Sequence, residues 1–99
     1  MFETVIGKYC IVRGDRSGVF AGTVANTDGK NVLLKDVRRL WYWDGAASIS
    51  QIAVDGVKKP GNCKFSVSVS SILLTDAIEI IPATDKAKGS IEAVPVWKC

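Results

Sequence analysis

The Asp28-Gly29 pair is the feature that most constrains the fold of this chain. Asp-Gly is a strong signal for a tight β-hairpin, because both residue types tolerate the positive φ values that such a turn needs. Segments 19–26 and 31–35, on either side of the pair, have the composition of strands. The pair therefore predicts two antiparallel strands joined by a short turn, with Gly22 as a bend or bulge in the first.

Further short segments have the same composition and are separated by turn residues. We predict strands over 8–13, 37–43, 64–69 and 77–81, and a strand or turn over 71–74. Segment 37–43 is either a separate strand or a continuation of 31–35 around a kink at Asp36.

Segment 64–69 has the clearest alternation of apolar and polar residues in the chain. Successive side chains of a strand point to opposite faces of the sheet. The alternation therefore predicts that Phe65, Val67 and Val69 face the core.

Two segments have helical spacing instead. Segment 48–51, Ser-Ile-Ser-Gln, has the spacing of a capping box, and apolar residues recur at Ile49, Ile52 and Ala53. This predicts a helix of two turns that ends at Gly56, a residue suited to the left-handed conformation.

Thr84 is a candidate N-cap for a last helix that runs to about residue 93. Its apolar face would consist of Ala87, Ile91 and Val94. Gly89 lowers the helix propensity of this segment. After it, residues 95–99 are expected to form an extended tail.

These elements predict a mainly β protein with minor α content, a single domain over residues 1–99. We expect a small, strongly bent antiparallel sheet or an SH3-like barrel, with a short inserted helix and a C-terminal helix. The order strand, turn, glycine-containing strand, Asp-Gly turn, strand resembles the start of SH3-like and Sm-like barrels.

The composition argues against an enzyme. The chain has no histidine, which removes the commonest general base and the commonest transition-metal ligand. Its three cysteines, Cys10, Cys63 and Cys99, are widely spaced and form no CxxC pair, so neither a disulfide framework nor a metal site is expected. Cys63 is best explained as a buried residue. We expect no enzymatic activity and no cofactor.

The sequence also limits the location and the partners. No apolar run approaches the roughly 18 residues of a membrane span, and residues 1–4 do not resemble the start of a signal peptide. We therefore expect a cytoplasmic protein without membrane contact. The net charge of +3 is too small for a polybasic nucleic-acid binder, but it suits an anionic small ligand or modest RNA binding.

Segment 38–43, Arg-Arg-Leu-Trp-Tyr-Trp, combines two cations with three large aromatic residues. In a strand Trp41 and Trp43 would share one face, and Leu40 and Tyr42 the other. Aromatic rings beside guanidinium groups suit a ligand with rings and negative charge. The structural alternative is that both tryptophans are half-buried core residues and both arginines are solvated.

Polar residues downstream extend this candidate site. The turn 44–47 leads into the N-terminus of the first predicted helix, where free N–H groups suit phosphate. The predicted ligand-binding residues are Arg38, Arg39, Trp41, Tyr42, Trp43, Ser48, Ser50, Lys58 and Lys64, with Lys59 beside them. The structural alternatives are that Ser48 only caps the helix and that the lysine pair 58–59 is only solvated.

Trp97 stands near the C-terminus, where a tryptophan packs on a partner subunit or on its own core. A chain of this size has difficulty enclosing a pocket, because a ligand cavity needs walls on several sides. We therefore expect a homo-oligomer that builds the pocket at its interface.

One longer pattern carries a family resemblance. It comprises Arg38-Arg39-Leu40-Trp41-Tyr42-Trp43, Gly45-Ala46, Ser48-Ile49-Ser50-Gln51, Gly56-Val57-Lys58, Pro60 and Cys63-Lys64-Phe65-Ser66, with similar flanks at 5–9 and 78–82. In this pattern the chain resembles a family of small phage and prophage proteins that is known as a domain of unknown function. The likeness covers nearly the whole chain and implies a viral origin without an activity.

That origin favours a binding protein, for which three hypotheses stay open. The first is a phage anti-defence protein that sequesters a nucleotide-derived immune signal of the cyclic-nucleotide or ADP-ribose type. Its aromatic residues would stack the base, and Arg38, Arg39 and Lys64 would hold phosphate. The second is an SH3/Sm-like nucleic-acid-binding module that uses the same residues on an open surface. The third is an inhibitor that docks on a host protein through the aromatic patch.

Overall fold

The computed structural model describes residues 5–98, which form a mainly β protein of the predicted class. Its strands are β1 (Tyr9–Gly14), β2 (Val19–Asp28), β3 (Asn31–Tyr42), β4 (Lys64–Phe65), β5 (Val69–Leu74) and β6 (Ala77–Pro82). Two helices, α1 (Ile49–Asp55) and α2 (Asp85–Ala93), and a 3-10 turn at Pro60–Asn62 complete the fold. None of the helices in this part of the chain is long and apolar enough to cross a membrane.

The predicted hairpin is confirmed. Asp28 pairs with Asn31, so that Gly29 and Lys30 form a two-residue loop, and Gly29 has a φ of 60°. β3 continues without a break through Asp36, which takes a φ of 50° at the predicted kink.

Gly22 is required where the sheet bends. It lies at a break in the register between β2 and β3, where two residues of β3, Asp36 and Val37, lie opposite Gly22 alone. The irregularity is at the predicted position, but the extra residue is on β3 and not on β2. A Cβ atom at this position would lie only 2.9 Å from the Cβ atom of Val37. Only glycine permits the two strands to approach this closely.

The connection between β5 and β6 explains why the sheet is strongly bent. β5 pairs with β3, whereas β6 pairs with β1 at the opposite edge of the β1-β2-β3 meander. Only Thr75 and Asp76 separate β5 from β6. The two edges must therefore curl toward each other, which confirms the predicted bent antiparallel sheet.

Each face of this sheet carries a core. The strand core consists of Cys10, Val12, Phe20, Val24, Val32, Leu34, Val37 and Leu74. The helix core, on the other face, consists of Ile11, Ala21, Leu40, Ile52, Ala53, Val57, Cys63, Phe65, Ile91 and Val94. β1 contributes alternate residues to both, which explains its nearly continuous apolar sequence.

Both predicted helices are present with their predicted caps. The Ser48 hydroxyl accepts a hydrogen bond from the Gln51 amide, and α1 ends at Gly56, whose φ is 77°. The Thr84 hydroxyl accepts from the Ala87 amide at the start of α2. The three apolar residues predicted for one face of α2 are all buried.

The prediction for segment 64–69 is wrong. Only Phe65 is buried, whereas Val67 is 57% exposed and Val69 is also exposed. Phe65 pairs with Leu40 and Val69 pairs with Val37, so four residue steps on one side are matched by three on β3. The extra residue interrupts the strand and breaks the alternation of faces.

Candidate functional site

Two exposed tryptophans stack on each other at one end of the sheet. The rings of Trp41 and Trp97 lie 5.1 Å apart between centroids and 6° from parallel. Trp41 is 61% exposed and Trp97 is 46% exposed. Because tryptophan is highly buried on average, an exposed stacked pair is evidence for a binding surface.

The elements that hold this pair come from both ends of the chain. Trp41 is the penultimate residue of β3, and Trp97 belongs to the tail after α2. The tail lies beside β4, since Val96 forms a parallel bridge with Phe65 and the Trp97 amide donates to the Phe65 carbonyl at 2.9 Å. The predicted tail is therefore extended, as expected, and docked on the sheet.

Lys64 supplies a cation to the same surface. Its Nζ atom lies 5.1 Å from the ring centroid of Trp41, 5.4 Å from that of Trp97 and 5.9 Å from that of Tyr42. Tyr42 pairs with Lys64 across β3 and β4 and is 50% exposed. We call Trp41, Tyr42, Lys64 and Trp97 the aromatic platform. It can stack planar rings and attract an anion to their edge.

Arg38 does not belong to the aromatic platform. It is 5% exposed, and its guanidinium donates to the carbonyl oxygens of Phe65, Ser66, Ile91, Val94 and Pro95. Burial lowers the pKa of this guanidinium. The five N–H groups of an arginine are thereby all engaged, which leaves none for the phosphate contact predicted for Arg38.

Arg39 and Trp43 also lie apart from the aromatic platform. The Arg39 guanidinium stacks 4.6 Å from the ring centroid of Phe20 and donates to the Ser17 carbonyl at 2.7 Å. Trp43 is half-buried and packs on the helix core. The predicted common face for Trp41 and Trp43 is wrong, because β3 ends at Tyr42 and the alternation ends with it.

The remaining predicted residues surround α1. The Ser48 hydroxyl caps the helix, and Ser50 is exposed in its first turn. Lys58 and Lys59 are exposed in a loop whose backbone packs on Gly45. The Lys58 amide donates to the Gly45 carbonyl at 3.2 Å, so this loop braces the turn that precedes α1. Its lysines lie on the surface, without a described contact to the aromatic platform.

Two cavities formed by residues 5–98 lie elsewhere. One of about 180 Å³ lies beside the β2–β3 hairpin, and one of about 270 Å³ is lined by Tyr9, Asp36, Arg38, Ser68, Glu92, Val94 and Val96. The carboxylates in the larger cavity disfavour an anion. Burial, assisted by the charge of Glu92, raises the pKa of Tyr9 to about 12. Neither cavity is lined by the aromatic platform, which is an open surface.

The contact between Trp97 and Trp41 was not predicted from the sequence. The two residues lie at distant positions in the chain, and their contact depends on how the tail docks. The one sequence feature that pointed to Trp97 was its position close to the C-terminus. That position leaves packing on its own core and packing on a partner subunit as alternatives for this residue.

Comparison with known proteins gives a family and a fold. A family described as a domain of unknown function, DUF6948, matches residues 7–91. This confirms the resemblance to a domain family of unknown function, while the phage origin stays a prediction. No curated protein matches the chain.

A solved structure with a similar fold is that of a heptameric archaeal Sm protein, described for its implications for the eukaryotic snRNP core. The TM-score is 0.51 at 19% sequence identity, covering 83% of this chain and 94% of the Sm chain. At this identity the similarity shows a shared fold. The resemblance of the opening strands to Sm-like barrels is therefore confirmed.

Proposed function

The chain belongs to the DUF6948 family, and we propose that it is a binding module for single-stranded nucleic acid that uses the aromatic platform. The observation that carries the proposal is the exposed Trp41–Trp97 stack with the Lys64 ammonium within 5.1 to 5.9 Å of three rings. Nucleic-acid bases stack on aromatic side chains irrespective of their sequence, and a nearby cation attracts the phosphate backbone.

The open form of the aromatic platform favours a polymer over a small nucleotide. A small ligand gains affinity from an enclosing cavity, whereas a strand gains it from successive contacts along a surface. Lys98 is exposed directly after Trp97, and Lys58 and Lys59 are exposed as well. The net charge of +3 is consistent with modest affinity that falls as salt rises.

We also propose that copies of the chain associate through the edges of the sheet. β5 and β6 each pair on one side only within residues 5–98. Leu73 on β5 is 61% exposed, and Ile78 on β6 is also exposed. Unpaired edges with apolar side chains are suited to pairing with another strand. The heptameric state of the Sm protein with a similar fold supports this association. Repetition of the aromatic platform would raise the avidity for a strand.

The binding proposal is tested by fluorescence anisotropy with labelled single-stranded RNA and DNA of increasing length. Trp41→Ala and Trp97→Ala should each weaken binding about tenfold, the expected value of one lost base stack. Lys64→Met should weaken binding and reduce its salt dependence. Lys35→Met is the matched control, because Lys35 is exposed on β3 and pairs with Ser71 of β5, away from the aromatic platform.

The same titration separates the alternatives. Sequestration of a nucleotide-derived signal predicts tight binding of a cyclic dinucleotide or ADP-ribose and none of a long strand. Inhibition of a host protein predicts that neither class of ligand binds. Equal affinity of Trp41→Ala and the unaltered protein for RNA would contradict the proposal. Light scattering with Leu73→Arg tests the association of copies, since a charge on β5 should yield monomers.

A further inference from the structure

The aromatic platform depends on a tail that makes few contacts of its own. Trp97 belongs to the segment after α2, and this segment touches the sheet through the Phe65–Val96 bridge and the Trp97 amide. A single bridge does not by itself hold a segment in one position, because ordering each residue of the segment costs conformational entropy.

Arg38 is buried where the tail meets β4, and its guanidinium donates hydrogen bonds to both segments. On the β4 side, Nε donates to the Ser66 carbonyl at 2.8 Å and Nη2 donates to the Phe65 carbonyl at 3.4 Å. On the side of α2 and the tail, Nη1 donates to the carbonyls of Ile91 and Val94 at 2.7 and 2.9 Å. Nη2 also reaches the Pro95 carbonyl at 3.5 Å, two residues before Trp97.

We propose that Arg38 is the positioning residue of the aromatic platform. Its guanidinium fixes the end of α2 and the start of the tail against β4, which places the Trp97 ring on Trp41. This inference rests on the proposed function in one respect, that the stacked pair binds single-stranded nucleic acid. Arg38 itself touches no ligand, since it is buried and its donors are engaged.

A lysine cannot replace this geometry. The guanidinium is planar and presents five donors in a fixed fork, whereas an ammonium presents three donors from one atom. The carbonyls of Ile91 and Val94 lie at the end of α2, where the last C=O groups of a helix lack their usual partners one turn further along. The Ile91 carbonyl accepts the Val94 amide at 3.2 Å and has a second lone pair for Arg38. Arg38→Lys should therefore retain the positive charge but release the tail.

The first test is spectroscopic and needs no ligand. Two stacked indoles couple their excited states and give a paired positive and negative band in circular dichroism. Trp97→Ala abolishes this band and identifies it. We expect Arg38→Lys to lose most of the band while it retains a cooperative unfolding transition. Arg39→Lys, the same substitution at the neighbouring exposed arginine, should retain it. A full band in folded Arg38→Lys would overturn the proposal.

The second test is a double-mutant cycle on RNA affinity. If Arg38 acts through Trp97, Arg38→Lys weakens binding almost as much as Trp97→Ala, about tenfold, and adds nothing in the Trp97→Ala background. Additive losses would overturn the proposal. If no variant binds nucleic acid, the proposed function fails, and the circular dichroism band still decides the role of Arg38.

A measurement on the unaltered protein covers the case in which Arg38→Lys does not fold. Hydrogen exchange by NMR should show the Arg38 Nε–H protected, and this group should exchange at the same opening free energy as the Trp97 amide. A Trp97 amide that opens freely while the Arg38 Nε–H remains protected would show that the guanidinium does not hold the tail.

Discussion

The two faces of the sheet are built in different ways. The strand core is formed by β1, β2, β3 and β5, and most of its contacts come from hairpin neighbours. The helix core joins β1, β2 and β3 to α1, β4 and α2, which come from distant parts of the chain. The aromatic platform lies on the elements of the second core. Strands paired by local turns therefore supply the framework, while segments docked over long range create the aromatic platform.

The largest expected effect separates the two cores directly. Phe20 and Phe65 are both fully buried, the first in the strand core and the second in the helix core. Replacement of either by Ala should lower the free energy of unfolding by about 3–5 kcal/mol, which urea titration measures. Only Phe65→Ala should also remove the Trp41–Trp97 band before global unfolding. Loss of the band in Phe20→Ala as well would show that the cores are one cooperative unit.

A smaller contrast concerns two glycines with positive φ. Gly56 is the C-cap of α1 and packs against α2. An added Cβ atom at this position would collide with the side chain of Ser90 on α2. Gly29 lies in the β2–β3 hairpin with open space around it. Gly56→Ala should lower the free energy of unfolding by about 3 kcal/mol, because steric conflict adds to the strained φ. Gly29→Ala should cost about 1 kcal/mol. Equal losses of stability in the two variants would mean that the contact between Gly56 and Ser90 adjusts to the added methyl group at little cost.

The smallest expected effect is a pH dependence of the stability, which arises from Asp76 in the turn between β5 and β6. The Asp76 carboxylate accepts hydrogen bonds from the Ser17 hydroxyl at 2.6 Å and from the Arg16 amide at 2.8 Å, which hold its pKa below the ordinary value of 3.8. A carboxylate whose pKa is lowered by folding stabilises the folded state above about pH 3.8. This contribution is lost as the pH falls through the pKa of the folded state. The temperature of thermal unfolding should fall less steeply toward acid pH for Asp76→Asn than for the unaltered protein. An unchanged decline would exclude this carboxylate as its source.

Local patterns were sufficient for most of the framework. The β2–β3 hairpin, the kink at Asp36 and the caps Ser48 and Thr84 follow from the preferences of a few neighbouring residues, and each is present. The hairpin loop consists of Gly29 and Lys30, while Asp28 is the last residue of β2. These features depend on backbone conformations that one or two residue types favour strongly. Such preferences can be recognised without knowing what packs nearby.

The failures share a different cause. Val67 alternates like a core residue, but an extra residue between Phe65 and Val69 turns it outward. Arg38 has the chemistry of a phosphate ligand, but the carbonyls of Ile91 and Val94 at the end of α2 bind it inside the protein. Both outcomes depend on which segment docks from far along the chain. A pattern of neighbouring residues holds no information about that partner.

The pairing of β1 with β6 has a consequence for synthesis. Since β1 pairs with β6, Cys10 reaches its partner Pro82 only after residue 82 has left the ribosome. Until then the nascent chain presents β1 with one unpaired edge and with apolar side chains on both faces. Such an edge can pair with other chains. We therefore expect the yield of folded protein to depend on chaperone supply more than its final stability would suggest.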